Sequence, residues 1–275
     1  MSTMGRLPDY QCFFNMFKPL SDGEGMVIIT GMQKSGTTAI AKLLGAAIDQ
    51  TVISDPLYRL FEKKDVDPRP CLFSGKTTIK TLWKKQQHFF SAPIGKDPDF
   101  VFILPELIKL FPKAKFMFII RDPRDTIRSI CNRLDLPGNI AGDNNKHYTI
   151  PSAWKDCIEG KNPHFPGTNY IEILAHRWVK MSQIYLENSH HCIRVNYEDF
   201  RAGKSNTISK IVRELNTVQE HDIDHMKDIQ FQPRGNPNVS WEEFYGENQL
   251  KTIEDITRHV EERLKETHHT QQLPQ

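Results

Sequence analysis

The stretch Gly31-Met-Gln-Lys-Ser-Gly-Thr-Thr38 constrains this chain more than any other. An apolar run, Met26 to Ile29, precedes it, and Ile40, Leu43, Leu44 and Ala47 follow at i, i+3, i+4 and i+7. That order predicts a buried strand, a tight turn and an amphipathic helix. Such a turn aims several backbone N–H groups at one point in front of a helix N-terminus, where they and the helix dipole favour an anion. A phosphorylated ligand is therefore expected, and the alternative is a glycine turn that only joins strand to helix.

Gly31 and Gly36 have the spacing of the nucleoside-triphosphate P-loop, but that loop carries its lysine directly after the second glycine. Thr37 stands there in this chain, and Lys34 lies inside the loop. The cation thus approaches the anion from another side. It is not arranged to reach a γ-phosphate, and Thr38 has no evident metal to hold.

Further strand ends follow. Thr51 to Ser54 is a short β-branched run stopped by Asp55-Pro56, which puts Asp55 at the carboxyl end of a strand, the ligand edge of an open parallel sheet. Residues 58–92 read as basic and irregular, with Lys76, Lys80, Lys84 and Lys85 on a solvated face rather than a nucleic-acid patch. After Lys96-Asp97-Pro98, helical spacing runs from Leu104 to Phe111. Phe116 to Ile120 is a continuous apolar run, expected to be a central strand buried on both faces. It ends in Arg121-Asp-Pro-Arg-Asp125 and a new helix carrying Ser129. Arg121 and Ser129 can converge on a second anion, since arginine supplies a planar fork suited to phosphate. A structural ion pair between Arg121 and Asp125 is the competing reading.

Residues 134–170, rich in Gly, Pro and Asn, are too long for a simple connection and read as a lid or acceptor loop. Helical spacing returns at Leu174, Trp178, Met181 and Tyr185. Cys192 to Val195 is another strand, followed by Asn196-Tyr-Glu-Asp199 and a helix through Ile208, Ile211, Val212 and Leu215. Arg234-Gly235 sets a cation beside backbone free to approach a ligand closely. A last helix holds Leu250 to Leu264, and residues 266–275 read as a polar, frayed tail. Strand and helix alternate, so the expected fold class is α/β: a parallel sheet with helices on both faces. A chain of 275 residues is long enough for one large α/β domain or two small ones.

With 36 basic and 34 acidic side chains the net charge is only +2, so neither nucleic acid nor an acidic membrane is the expected partner. Five scattered cysteines without metal-ligand spacing suggest reduced thiols in a cytoplasmic protein, and no apolar block resembles a signal peptide or a membrane span.

Four segments, in order, carry a family resemblance. Gln33-Lys-Ser-Gly-Thr-Thr38 resembles the 5′-phosphosulfate loop of sulfotransferases that use 3′-phosphoadenosine 5′-phosphosulfate (PAPS). Arg121-Asp-Pro-Arg-Asp125 through Ser129 is similar to their 3′-phosphate motif, Arg194 to Asp199 to the segment whose tyrosine lies near adenine, and Phe231 to Trp241 to the late Arg-Gly segment that returns to the 3′-phosphate. The resemblance implies that Lys34, Ser35, Gly36, Thr37 and Thr38 hold the 5′-phosphate. It implies that Arg121, Ser129, Arg234 and Gly235 hold the 3′-phosphate, with Tyr197 beside the adenine. It also implies a single α/β domain of the three-layer, P-loop type over residues 1–275, with residues 1–25 as an N-terminal extension, and metal-independent transfer of a sulfuryl group to a hydroxyl or amine, leaving adenosine 3′,5′-bisphosphate (PAP).

Lys96-Asp97-Pro98 resembles the protein-tyrosine sulfotransferase branch, in which the base is an earlier acidic residue. Asp55 stands at about that position and is the candidate base; capping of the turn before Pro56 is its alternative role, and His88 and His147 are lesser candidates. Lys96 is expected as a second cation near the transferred group. The resulting expectation is a soluble enzyme acting on a small-molecule acceptor, such as a natural-product tailoring enzyme. The competing readings are a P-loop kinase of small metabolites and a non-catalytic protein that binds the bisphosphate.

Overall fold

A computed structural model describes residues 22–64, 67–86, 90, 92–140, 148–159, 165–231 and 239–271, without side-chain detail at 61–64, 153, 156 and 268–271. In chain order the elements are β1 (Val27–Gly31), α1 (Thr37–Ala47), β2 (Val52–Ser54), α2 (Pro56–Lys64), α3 (Arg69–Phe73), α4 (Ile79–Lys85) and β3 (Ile94–Lys96). A 3₁₀ helix, Pro98–Ile103, leads into α5 (Leu104–Leu110), β4 (Lys115–Ile120), α6 (Pro123–Leu134), α7 (Ser152–Ile158) and α8 (Tyr170–Glu187). Last come β5 (Cys192–Asn196), α9 (Tyr197–Ala202), α10 (Lys204–Glu214) and α11 (Trp241–Gln271).

The five strands are parallel in the order β2-β3-β1-β4-β5. Alternate side chains leave opposite faces of each strand, so one apolar run feeds two cores. Val27, Ile29, Met117 and Ile119 pack with Ile40, Leu43 and Leu44 of α1 and Ile208, Ile211 and Val212 of α10. Ile28, Phe116, Phe118 and Ile120 pack instead with Ile127 and Ile130 of α6, Leu174 and Trp178 of α8, and Val260 and Leu264 of α11. Each such side chain contributes about 1.5–3 kcal/mol on burial, which explains why β4 lacks any polar position between Phe116 and Ile120. The three-layer α/β architecture expected from the alternating pattern is the one observed.

Successive strands fill one side of β1 with β3 and β2, then the other with β4 and β5. The direction of winding reverses at β1, and a crevice opens at its carboxyl end. The register places Ser54, Lys96 and Ile29 side by side, with Gly31 beside Ile119 and Ile120 beside Asn196. Residues that follow the strands, from Asp55 to Tyr197, therefore share one edge.

Three expectations need correction. Residues 58–92 are not irregular: α2, α3 and α4 lie there, and Trp83 of α4 stacks on Phe90 at 4.5 Å, while Lys76, Lys80, Lys84 and Lys85 are exposed. Their apolar positions are too few per short helix to show a period. The three-residue β3 was invisible for the same reason, since Ile94-Gly-Lys96 contains a single apolar side chain. The helical backbone of α11 continues to Gln271, into the stretch read as frayed, after a break at Gly246, which has φ 68°. Within 134–170, α7 forms, and the Tyr170 hydroxyl donates to Pro137 O at 2.6 Å.

Candidate active site

The turn between β1 and α1 closes through a hydrogen bond from Ser35 N to Met32 O at 3.1 Å. Lys34 has φ 69° and Gly36 φ 92°, two consecutive departures into left-handed backbone separated only by Ser35. Glycine at 36 is required on a second ground, because a Cβ there would lie 2.3 Å from Cδ2 of Tyr197. Tyr197, at the start of α9, thus seals one side of the loop. The Arg121 guanidinium lies 4.4 Å from the same ring, and its Nη1 donates to Lys34 O at 2.7 Å.

Arg121 reaches the loop because β4 ends abruptly and α6 starts at once. Asp122 caps α6 by accepting from Arg124 N at 2.8 Å, and Pro123 occupies the first turn, where its missing N–H is not needed. Ser129 and Arg133 follow on α6, four residues apart and so on one face. Arg121 and Asp125 are 4.0 Å apart, whereas Asp125 makes closer contacts with Arg128 at 2.6 Å and Trp241 Nε1 at 2.9 Å. The ion-pair reading of Arg121 thus describes the weakest of Asp125's contacts.

Lys34 sits among cations. Its burial, with Arg133, Arg121 and Lys96 nearby, pulls its pKa down to about 8. Ser35 Oγ and Arg121 Nε are buried without a protein partner, the condition expected where a polar ligand completes the bonding. Both residues also line a cavity of about 10 Å³ behind the loop, with Trp178 and Ser182. Thr37 is buried at the start of α1, beside the partly exposed Thr38.

Across the crevice, Lys96 is buried at the end of β3 and its Nζ donates to Asp55 Oδ1 at 2.8 Å. Asp55 takes φ 53°, its amide donates to Lys96 O at 2.6 Å, and its side chain is 36% exposed. In the first turn of α2 the Leu57 amide donates to Asp97 Oδ2 at 3.0 Å, and the Asp55 carbonyl accepts from Arg59 N at 2.9 Å. Burial, with Asp99 and Asp55 close by, pushes the Asp97 carboxyl well above the usual carboxylate range.

Sequence reasoning missed the support beneath the loop. Gln33 Nε2 donates to Asp99 Oδ1 at 3.0 Å, and Arg177 donates to the same oxygen at 2.6 Å and to Gln33 Oε1 at 3.4 Å. Arg69 donates to Asp99 Oδ2 at 3.2 Å and is forked onto Asp67. Burial opposes ionisation of Asp99, but the Arg177 and Arg69 guanidiniums outweigh it and hold its pKa below the usual carboxylate value. Arg133 was legible as the residue one helical turn beyond Ser129. Asp99 and Arg177 were not, being 78 positions apart.

Arg234, Gly235, His88 and His147 lie outside the described residues. The residues flanking the Arg234 segment are anchored near the site: Lys42 of α1 lies 5.2 Å from the Phe231 ring, and Val239 O accepts from Arg128 Nη1 at 2.6 Å. A cavity of about 490 Å³ along the outer side of β5 is lined by none of the candidate residues. Among the described residues no group of three or more His, Cys, Asp and Glu side chains is placed to hold a metal ion, and no helix is long and apolar enough to cross a membrane.

A search of curated proteins finds no match. Among solved structures, the chain is similar to sulfotransferase STF9 from Mycobacterium avium at a TM-score of 0.53 and 13% identity, covering 91% of this chain and 79% of that one. It is also similar to mouse sulfotransferase SULT7A1 complexed with PAP, at a TM-score of 0.50 and 14% identity, covering 98% and 99% of the two chains. At such identities these likenesses establish a shared fold. The sequence profile described as "Sulfotransferase family" matches residues 54–220, more than half of the chain, beginning just before Asp55 and running through β3, β4 and β5. This chain therefore belongs to the sulfotransferase family.

Proposed function

We propose that the protein transfers a sulfuryl group from PAPS to a hydroxyl or amine of a small-molecule acceptor in the cytoplasm. The observation that carries the reading is the gathering of Lys34, Arg121, Arg133 and Lys96 at one sheet edge beside the β1–α1 loop, where burial first and then the neighbouring cations lower the Lys34 pKa to about 8. Crowded cations destabilise one another, and a polyanion relieves them. A donor with phosphate at both its 3′ and 5′ positions matches two cation groups: Lys34 with the loop amides, and Arg121 with Ser129 and Arg133. Arg234 and Gly235 join the second group in this reading. Tyr197, stacked with Arg121, offers its ring to the adenine.

In the transfer, the bond between sulfur and the 5′-phosphate oxygen breaks as the acceptor oxygen or nitrogen bonds to sulfur in line. Lys34 and the loop N–H groups meet the charge that develops on the departing phosphate, so cations of the chain do what a metal does elsewhere. Asp55 takes the acceptor's proton through Oδ2, while Lys96 holds Oδ1 and fixes the carboxylate in place. Residues 56–92 and 134–170 supply the acceptor contacts.

Calorimetric titration with PAP, adenosine 5′-monophosphate and ATP with Mg²⁺ tests the donor. PAP is expected to bind most tightly, and stabilisation by ATP with Mg²⁺ alone would overturn the reading in favour of a kinase. Labelled PAPS offered with a panel of alcohols, phenols and amines then separates enzyme from binder. Asp55→Asn is expected to lower turnover by about 10²- to 10⁴-fold while PAP binding holds; unchanged turnover removes Asp55 as the base.

A further inference from the structure

Lys34 is a non-glycine residue at φ 69°, a left-handed conformation that persists only where its surroundings hold it. One restraint lies on its carbonyl, which accepts from Arg121 Nη1 at 2.7 Å. A second lies on the preceding residue. Gln33 uses both ends of its amide: Nε2 donates to Asp99 Oδ1 at 3.0 Å, and Oε1 accepts from Arg177 Nε at 3.4 Å.

Asp99 and Arg177 are themselves immobile anchors. Asp99 is buried at the start of the 3₁₀ helix, with Oδ1 held by Arg177 and Oδ2 by Arg69. The Arg177 guanidinium is buried, 4.8 Å from the Phe102 ring and 5.1 Å from Phe165. Thr30 near the end of β1 donates to Pro98 O at 3.0 Å, so the 3₁₀ segment holds the strand end through Pro98 and the loop through Asp99. An amide fits between a carboxylate and a guanidinium because it donates to one and accepts from the other. Leucine at this place would do neither.

We infer that Gln33 is a positioning residue for the sulfotransferase site: bridging Asp99 and Arg177, it holds the loop in the strained conformation that brings the Lys34 ammonium to the donor's 5′-phosphate. The inference deepens the proposed function and rests on it for the identity of the ligand. The strain at Lys34 and the two-sided amide clamp do not depend on that identity.

The test reads Lys34 directly. Intact wild type and Gln33→Leu are pulse-labelled with an amine-reactive reagent across a pH series, and labelling at Lys34 is measured by mass spectrometry. Wild type is expected to label with a midpoint near 8, set by burial beside Arg133, Arg121 and Lys96. In Gln33→Leu the released loop lets the ammonium reach solvent, and the midpoint moves at least one pH unit toward 10.5. Affinity for PAP is expected to fall about tenfold. A purely structural glutamine would lower the melting temperature and leave the Lys34 profile in place. Superimposable labelling curves overturn the inference. If Gln33→Leu does not fold, Gln33→Glu replaces it, since it keeps an acceptor for Arg177 but loses the donor to Asp99; an unshifted curve there overturns the clamp equally. Labelling needs no ligand, so an unshifted curve with intact PAP binding sinks the clamp alone, whereas failure of wild type to bind PAP sinks the sulfotransferase site.

Discussion

Two groups of basic side chains lie on either side of the loop between β1 and α1, and they are built on opposite terms. Beneath it, Arg69 and Arg177 are buried and hydrogen-bonded to Asp67, Asp99 and Gln33, and Arg177 also lies over the Phe102 and Phe165 rings. At the mouth, Lys34, Arg121, Arg133 and Lys96 face one another, with Asp55 on Lys96 at 2.8 Å and Asp125 at 4.0 Å from Arg121. The lower group matches cations to anions and is a scaffold. In the upper group, burial together with Arg133, Arg121 and Lys96 pulls the Lys34 pKa down, and the proposed function assigns these cations to an anionic donor. Composition gives no hint of this division, because the chain as a whole is almost neutral.

The largest effect expected from breaking the contrast lies in the scaffold. Asp99→Asn leaves the buried Arg177 guanidinium without its carboxylate and should lower stability by about 3–5 kcal/mol, read from urea unfolding. High salt is expected to restore little of it, since buried pairs are poorly screened. At the mouth the opposite pattern holds. Lys34→Ala should reduce turnover about 10²- to 10³-fold, while its melting temperature at pH 7 stays at or above that of wild type because a crowded cation has gone. A loss of stability there would place Lys34 in the scaffold.

Arg121→Ala sharpens the contrast within the upper group. The variant loses a charged contact to the 3′-phosphate, so PAP should bind about tenfold to a hundredfold more weakly, while adenosine 5′-monophosphate loses much less. Equal losses would mean that Arg121 serves only to hold the Lys34 carbonyl and Tyr197.

The smallest effect is the dependence of stability on pH. Folding lowers the Lys34 pKa from 10.5 to about 8, so between these values the unfolded chain holds a proton that the folded protein has released. Stability therefore rises with pH across that window. The melting temperature of wild type should climb relative to Lys34→Ala from pH 8 to 10.5, and saturating PAP, which favours the charged lysine, should abolish the climb. Parallel curves for the two proteins would show that Lys34 is not crowded.

Features set by neighbouring residues were legible without coordinates. Glycine spacing, the apolar run Phe116 to Ile120 and the Asp-Pro start of α6 each act over a few positions, so the loop, the central strand and the helix carrying Ser129 follow from them. Even Asp55 could be placed, because proline ends a strand wherever the strand lies. The sheet order β2-β3-β1-β4-β5 could not be read this way, since no periodicity says which strands become neighbours. That order alone puts Lys96 against Asp55, 41 positions apart, and Asp97 under the first turn of α2. It also brings Arg177 to Asp99 and Gln33, turning three unremarkable polar residues into the mount of the β1–α1 loop. Local sequence supplies the elements and their ends because torsional preference and periodicity are short-ranged. The pairing of charges across them is long-ranged, and only the folded arrangement brings Arg177 to Asp99 and Lys96 to Asp55.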